Sequence, residues 1–356
     1  MEATVDDHIL LMLAIKHKGK FVDTGHIEER LERDLGRMFV GDELSRVIGA
    51  LIAQGLVREK DGTYVITDEG KEVFADRVRG LRGLNQSYLL VYKARQYYPI
   101  VAPTIVDFLK DRYVSLFRVY TDRAWLQRKR GPNYITIKSI GGLLHWVDMH
   151  GVDIVPYVHK IGADRPDWFV VDLDAGKKVG FDVTKEVTLS LVDVFRDIGI
   201  KPAIKFSGSR GFQVWSSFED HELPREYVPL ELAGKTRRKM DYFTFYSDLV
   251  RFLESKVAEK LDRSVTTSDV SHKEEREDKV LLDPSTMKPF GDVRAPYSLH
   301  YKTGLVSVPV QPEEIAGFST DQAEMENVIE RYRERGNEFD LTPVDGGKLF
   351  RAFLGE

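Results

Sequence analysis

The 356-residue chain contains no cysteine. That excludes disulfides and thiolate zinc knuckles, while pointing to no particular compartment. No uninterrupted apolar run approaches the ~20 residues needed to cross a bilayer. The opening Met1-Glu-Ala-Thr-Val-Asp-Asp7 has neither the basic stretch nor the apolar run of a signal peptide. The sequence therefore reads as soluble and cytoplasmic, without a membrane partner. A bulk excess of positive charge is missing too: the formal net charge is −5, unlike that of a protein that coats DNA. Internal repeats and low-complexity tracts are absent. What remains is 42% hydrophobic and 31% charged, long enough for two or three domains around a sizeable core.

One segment resists a packing explanation. The apolar run Trp168-Phe-Val-Val-Asp-Leu-Asp-Ala-Gly176 carries Asp172 and Asp174 two positions apart. Side chains alternate across a strand, so both carboxylates leave the same face, roughly 7 Å apart along the chain. Like charges at that distance repel, and divalent cations relieve the repulsion. Two ions about 4 Å apart, bridged by carboxylates, are the apparatus of phosphoryl and nucleotidyl transfer. The plainer account is a strand-end Asp-x-Asp that caps the following turn.

About thirty residues on, Lys205-Phe-Ser-Gly-Ser-Arg-Gly-Phe-Gln-Val-Trp215 reads as the end of a strand (Lys201 to Phe206), a Gly-flanked turn and a second apolar strand. The glycines let the backbone approach a ligand and present its amides, and Arg210 offers a forked donor for phosphate oxygens, with Ser207 and Ser209 beside it. A hairpin turn with a solvated Arg is the alternative. Val280-Leu-Leu-Asp283 is another apolar strand ending in a carboxylate. The Pro- and Gly-rich stretch after it leads through Arg294 to a cationic, hydroxyl-rich segment with His300 and Lys302, ending at Gly304.

Taken in order, Asp-Leu-Asp, then Ser-Gly-Ser-Arg-Gly, then Leu-Leu-Asp followed twelve residues later by Ala-Pro-Tyr-Ser-Leu, these motifs resemble the archaeo-eukaryotic primase superfamily, above all the polymerase domain of bacterial ligase D and its stand-alone archaeal relatives. Tyr97-Tyr98, Asp111 to Arg118, Trp125 to Arg128 and Ile140 to Asp153 are similar to the family's upstream helix, strand and helix-then-strand segments. Ser-Leu-His300-x-Lys-Thr-Gly304 is similar instead to the small subunit of archaeal primase. The resemblance spans about residues 92 to 315. It implies an α+β catalytic domain, built in two α/β parts with an RRM-like sheet, that adds NTP or dNTP to a 3′-hydroxyl. It further implies that Asp172, Asp174 and Asp283 hold two Mg²⁺ or Mn²⁺ ions, Asp283 completing the site of the ion that activates the hydroxyl. Ser207, Ser209 and Arg210 would grip the triphosphate, and Arg276, His300 and Lys302 would surround the same phosphates, with Lys205 and Gln213 beside them. One position departs from the pattern: Gln213 stands where the family has a His that contacts the triphosphate, and Gln donates a hydrogen bond without charge.

Upstream, the pattern is of three helices and a hairpin. Asp6-Asp7-His8 precedes an apolar helix Ile9 to Ile15, Asp23-Thr24 opens a second to Leu35, and Gly41-Asp42-Glu43 opens a third. Gly55 to Thr67 then reads as a hairpin around Asp61-Gly62. That is a winged helix-turn-helix arrangement, in which Arg46, Arg58 and Lys60 would meet DNA. The expected organisation is 1–75 winged helix, 76–93 linker with breaks at Gly80 and Gly83, 94–318 catalytic domain, and 319–356 a helical tail with one helix from Thr320 to Arg335. Two basic clusters, Arg123 to Arg130 (with Arg128, Lys129 and Arg130) and Arg237-Arg238-Lys239, are candidates for tracking a phosphate backbone.

Two settings fit this enzyme class: gap filling and end processing in double-strand break repair on DNA ends, with a separate ligase or end-binding protein, or primer synthesis on a primer-template with a primase large subunit. A reading from a different class is a winged-helix DNA-binding or regulatory protein whose catalytic domain is impaired at Gln213.

Overall fold

The computed structural model describes residues 1–16, 19–120, 123–232, 238–261, 264–270 and 276–356; Arg237 of the second basic cluster lies outside them. Two compact units divide the chain. The first comprises Met1–Ile100, Phe117–Leu126 and Ile140–Val152, and the second Val101–Leu116, Gln127–Ser139 and Asp153–Glu356.

The first unit begins with α1 (Val5–Ala14), β1 (Val22–Asp23), α2 (Thr24–Leu35), α3 (Glu43–Ala53), β2 (Val57–Lys60), β3 (Thr63–Ile66) and α4 (Asp68–Val78). Helix α1 starts four residues earlier than the apolar run suggests. Thr4 and Asp7 form a reciprocal capping box, so the acids belong to the first turn and do not precede it. Ile9 through Leu13 are at most 2% exposed, which makes α1 the central helix of this unit. The short strands pair antiparallel in the order β1-β3-β2. Asp61 (φ 51°) and Gly62 (φ 72°) both adopt the left-handed conformation that a tight two-residue hairpin demands. In the stretch expected as a linker, α4 runs on to Val78 and α5 (Gln86–Leu109) starts at Gln86, so only 79–85 is irregular. Arg95 of α5 donates to the carbonyls of Ala14 (3.0 Å), Ile15 (2.5 Å) and Asp148 (2.9 Å). These carbonyls stand at the C-terminal ends of α1 and of α6 (Ile140–Asp148), where a helix runs out of its own donors.

Between α5 and α6 come β4 (Val114–Val119), β5 (Ala124–Gln127), β6 (Lys129–Arg130) and β7 (Asn133–Tyr134), and after α6 comes β8 (Gly151–Pro156). The core of the second unit is a five-stranded sheet made from β9 (Phe169–Ala175), β10 (Ala203–Phe206), β11 (Phe212–Ser216), β12 (Thr266–Thr267) and β13 (Val280–Asp283). Their order is β10-β11-β9-β13-β12, antiparallel except for the parallel β12–β13 pair. Helices α7 (Phe181–Ile198) and α8 (Tyr242–Leu261) cover one face. Phe169 meets Phe195 of α7 and Tyr246 of α8, and Phe212 stacks on Phe181 at 5.6 Å. With Phe169, Val171 and Leu173 turned to the helices, period-two alternation sends Val170, Asp172 and Asp174 to the other face. That face is aromatic at one end, where Trp168, Trp215 and Phe339 meet edge to face or tilted.

The C-terminal region differs from its expected single helix. A 3₁₀ turn at Thr320–Ala323 is separated from α9 (Met325–Arg335) by Glu324 in an extended conformation, and a second helix, α10 (Gly347–Leu354), follows. Phe350 of α10 packs against Phe218 and Phe245. A short helix between glycines gives too little periodicity to be read from sequence. Among the described residues no helix is long and apolar enough to cross a membrane.

Gly211 sits where β11 enters its pairing with β9. A Cβ there would lie 1.9 Å from the carbonyl oxygen of Leu173, so Gly211→Ala is expected to destabilise the fold by about 1–3 kcal/mol through forced strand displacement. Gly49, in mid-α3 with nothing within 4 Å of its would-be Cβ, is the control: Gly49→Ala should stabilise by about 0.5–1 kcal/mol. Thermal unfolding of the two variants followed by circular dichroism checks both signs.

Candidate active site

Strand register assembles the site. Asp172 lies opposite Asp283 on β13 and opposite Gln213 on β11, and Gln213 lies opposite Lys205 on β10. Directly opposed residues share a face with Cβ atoms about 5 Å apart, so Lys205, Gln213, Asp172 and Asp283 form one row across four strands, with Asp174 two residues further along β9. The three acids singled out in the sequence thus share one end of one sheet face.

Burial and that crowding perturb the protonation of Asp172 and Asp174. Burial, followed by the charges of Asp174 and Asp283, pushes the Asp172 carboxyl up to about 8, while a hydrogen bond from Gln213 and the charge of Lys205 pull the other way. Asp174 is raised by dehydration and by Asp283, and is drawn back by Arg210, Arg276 and Arg294. Gln213 spends its amide on Asp172, and its buried carbonyl oxygen Oε1 has no hydrogen-bond partner among the described residues. Lys205 is wholly buried, donates to Ser307 Oγ at 2.6 Å and sits 5.3 Å from the Trp215 ring. Burial and the nearby Arg294 hold its ammonium well below the usual lysine range.

The turn from Ser207 to Gly211 is held from behind. Thr303 Oγ1 donates to the Gly208 carbonyl at 2.6 Å, and the Phe206 amide to Val308 at 2.9 Å. Gly208 has a φ of 90° and approaches His300 so closely that a Cβ would stand 2.9 Å from that of His300. Arg294 clamps Asp153 with two 2.8 Å bonds and donates to the Ser207 carbonyl at 2.6 Å. His300 accepts at Nδ1 from the amides of Lys302 and Thr303, and burial together with Arg294 depresses it to about 4. It is therefore a neutral imidazole at pH 7.

Ser209 is half-buried in the turn and Arg210 is exposed at its tip. Arg276 reaches the Asp269 carbonyl at 3.4 Å. The Lys302 ammonium lies over the Tyr301 ring at 5.5 Å. In the basic cluster, Arg128 pairs with Asp292 at 3.5 Å, Lys129 lies over Tyr134 at 4.5 Å and Arg130 is exposed. In the first unit, Arg46 is tied to Asp42 on its own helix, Arg58 lies over Phe21, and Lys60 is exposed beside the hairpin turn. Arg238 of the second cluster turns inward onto Asp248, a structural pairing that removes it from the exposed surface. Sequence reading did not single out Asp153, Ser285 or Ser307. Asp153 had a usable signal, a lone carboxylate inside the apolar run of β8, the same cue that drew attention to Asp172.

Three hard oxygen donors of one charge, two of them held above the usual carboxylate range by burial and mutual repulsion, suit Mg²⁺ or Mn²⁺. Among the described residues, however, no group of three His, Cys, Asp or Glu side chains converges closely enough to hold an ion as it stands. Asp283 is engaged elsewhere: its Oδ1 accepts the Ser285 amide at 2.7 Å and its Oδ2 the Ser285 hydroxyl at 2.9 Å.

A two-sided sheet with helices on one face and a row of acids beside a Gly-flanked cationic turn on the other defines the primase-polymerase class of folds. Residues 120–339 match the LigD primase-polymerase domain, and the chain belongs to that family. An uncharacterised protein of Methanocaldococcus jannaschii is 26% identical over 235 residues, covering 58% of this chain and 48% of that protein; the chain thus spans about half the length of this curated relative. Among solved structures, the polymerase domain of Mycobacterium tuberculosis ligase D, determined in complex with DNA, is similar in fold, with a TM-score of 0.57 and 18% identity over 70% of this chain and 90% of that one.

The raised carboxyls link stability to pH. Between the ordinary carboxylate range and about 8, folded Asp172 holds a proton that the unfolded chain has lost, so stability falls as pH rises through that window. Metal-free protein should melt at a lower temperature at pH 8 than at pH 6. Asp172→Asn should flatten that slope, and Mn²⁺ should restore the wild type at pH 8 with proton release. Thermal melts in chelator and in Mn²⁺, across pH, check all three.

Proposed function

We propose that this protein is a template-directed nucleotidyltransferase that adds NTP or dNTP to a 3′-hydroxyl on DNA. The observation that carries the reading is the register-defined row Asp283, Asp172, Gln213 and Lys205, with Asp174 beside it and the Ser207–Gly211 turn at its edge. Asp172, Asp174 and Asp283 are the residues that would hold two divalent ions, Mg²⁺ or Mn²⁺. Bound there, such ions neutralise the charge that builds up on the attacking and leaving oxygens in phosphoryl transfer. The chain's own groups supply the rest. Arg210 and Arg276 add positive charge beside Asp174, and the half-buried turn with Ser207 and Ser209 offers hydroxyls and amides to a triphosphate. Neutral His300 holds the Lys302–Thr303 backbone under the turn, acting as a support for the phosphate cradle.

Arg128, Lys129 and Arg130 are proposed as contacts to the nucleic-acid backbone. In the chain order α1-β1-α2-α3-β2-β3, with a β1-β3-β2 sheet, residues 1–75 support a winged helix. Its DNA contacts would come mainly from Arg58 and Lys60, because Arg46 is already paired. Residues 94–318 would form the catalytic domain and 319–356 its helical tail. Gap filling and end processing in break repair, with a separate ligase, is the setting favoured by the ligase D family; primer synthesis is the alternative setting.

Gln213 beside Asp172 favours a second reading, a DNA-binding protein with an impaired catalytic domain. Extension of a labelled primer on a gapped template with Mn²⁺ and each nucleotide set separates the two. Wild type is expected to extend the primer, Asp172→Ala to lose about 10³-fold or more, and Gln213→His to gain activity. If neither wild type nor Asp172→Ala extends the primer while both bind the gapped DNA equally, the binding protein is the correct reading.

A further inference from the structure

A cavity of about 260 Å³ opens beside the 3₁₀ turn Pro284–Thr286 that follows Asp283. Its walls include Arg238, Arg251 and Lys288, with Asp241, Ser247 and Ser285 among them. Positive charge is in excess there. Arg238 and Arg251 share a single buried carboxylate, Asp248, which also accepts the Tyr227 hydroxyl at 2.8 Å and the Leu230 amide at 3.0 Å. The Arg251 guanidinium is held below its usual range by burial and then by Arg238. Asp241 is committed to the Thr244 amide at 2.8 Å and to Lys239 at 3.4 Å, and Lys288 is exposed. A concave space with surplus guanidinium and ammonium charge and hydroxyls on its wall is a place for an oxyanion.

Ser285 connects this space to the acidic row. It lines the cavity, and its hydroxyl and amide together occupy both oxygens of Asp283. We infer that the cavity seats a backbone phosphate of the strand being extended, and that its arrival releases Asp283 for metal. A phosphate oxygen accepts the Ser285 Oγ–H, Asp283 Oδ2 gives up that bond and becomes a free acceptor, and Oδ1 keeps the Ser285 amide. No bond other than hydrogen bonds changes hands. Strand binding would in this way complete the third acid of the row, so that the full donor set forms only once a strand is in place. The inference rests on the metal-holding role proposed above for Asp283.

The test uses metal-free full-length protein. Mn²⁺ binding is read from the free-ion EPR signal with and without sulfate, an oxyanion that binds Mn²⁺ weakly. Wild type is expected to bind Mn²⁺ about fivefold tighter or more with sulfate. Ser285→Ala should bind it as tightly without sulfate and show no response. Lys288→Ala, on an exposed side chain, should lose the sulfate response while keeping wild-type Mn²⁺ affinity in its absence. Anisotropy of a short single-stranded oligonucleotide in chelator identifies the source of the anion: Lys288→Ala should weaken binding and lower the salt slope by about one. A wild type that binds Mn²⁺ more tightly than Asp172→Asn yet is indifferent to sulfate, or a Ser285→Ala protein that still needs it, overturns the coupling. Oligonucleotide binding untouched by Lys288→Ala overturns the strand as the source. If wild type and Asp172→Asn bind Mn²⁺ equally poorly under all conditions, it is the metal-site reading that fails, and the Lys288-dependent oligonucleotide binding still judges the cavity.

Discussion

Repulsion among Asp172, Asp174 and Asp283 is the constraint on which the rest of the second unit depends. Three carboxylates on one end of a sheet face have no reason to be there for stability alone: burial and mutual charge both push Asp172 and Asp174 toward neutrality. The surrounding structure is built to withstand this. Antiparallel register fixes the acids to one face, since a slip of one residue on β9 or β13 would turn an acid into the Phe169–Phe195–Tyr246 layer. Gly211 lets β11 close on the Leu173 carbonyl, which holds that register at the end where the acids stand.

Gln213 changes the electrostatics of the row more than its shape. A histidine in that position would stand between Asp172 and Lys205 and take charge at acidic pH. Gln213 donates to Asp172 and stays neutral, so the nearest positive charge in the row is moved one strand outward, to a buried lysine whose charge is itself disfavoured. The unpartnered Oε1 of Gln213 is an acceptor facing buried surroundings, and an orphaned acceptor of this kind is costly unless a ligand donor reaches it. The departure from the family therefore affects what the row asks of its ligand. It asks for a donor where the family's histidine would itself have donated.

Much of this was legible in the sequence because the acids interrupt apolar runs. Asp172, Asp174 and Asp283 stand out against Phe-Val-Val and Val-Leu-Leu, and the Gly-flanked turn stands out against the strands on either side. The N-terminal helices and the Asp61-Gly62 hairpin were legible from periodicity and turn chemistry. Features that depend on partners distant in sequence were not. Nothing local says that Arg294 reaches back 141 residues to Asp153, that Lys205 is buried against Ser307, or that Arg238 turns away from solvent onto Asp248. The first turn of α1 was misread because Asp6 and Asp7 look like a preceding loop until Thr4 is recognised as their cap. Helix α10 was missed because eight residues between glycines carry one aromatic face and little else.

The supports of the turn and of the row converge on one pair. Arg294 holds Asp153 with two bonds and the Ser207 carbonyl with a third, and its charge also lowers Asp174 and depresses both Lys205 and His300. A single guanidinium thus holds the Ser207–Gly211 turn in position and adds to the effect of burial on the protonation of groups on either side of it. Asp153 makes this tolerable by balancing the charge inside β8, and its Oδ2 accepts the Tyr301 amide as well. The pair orients the backbone on which Arg210 is displayed and, together with burial, keeps His300 neutral under that backbone. Geometry at the turn and charge at the acidic row are therefore linked in this protein, because one ion pair contributes to both.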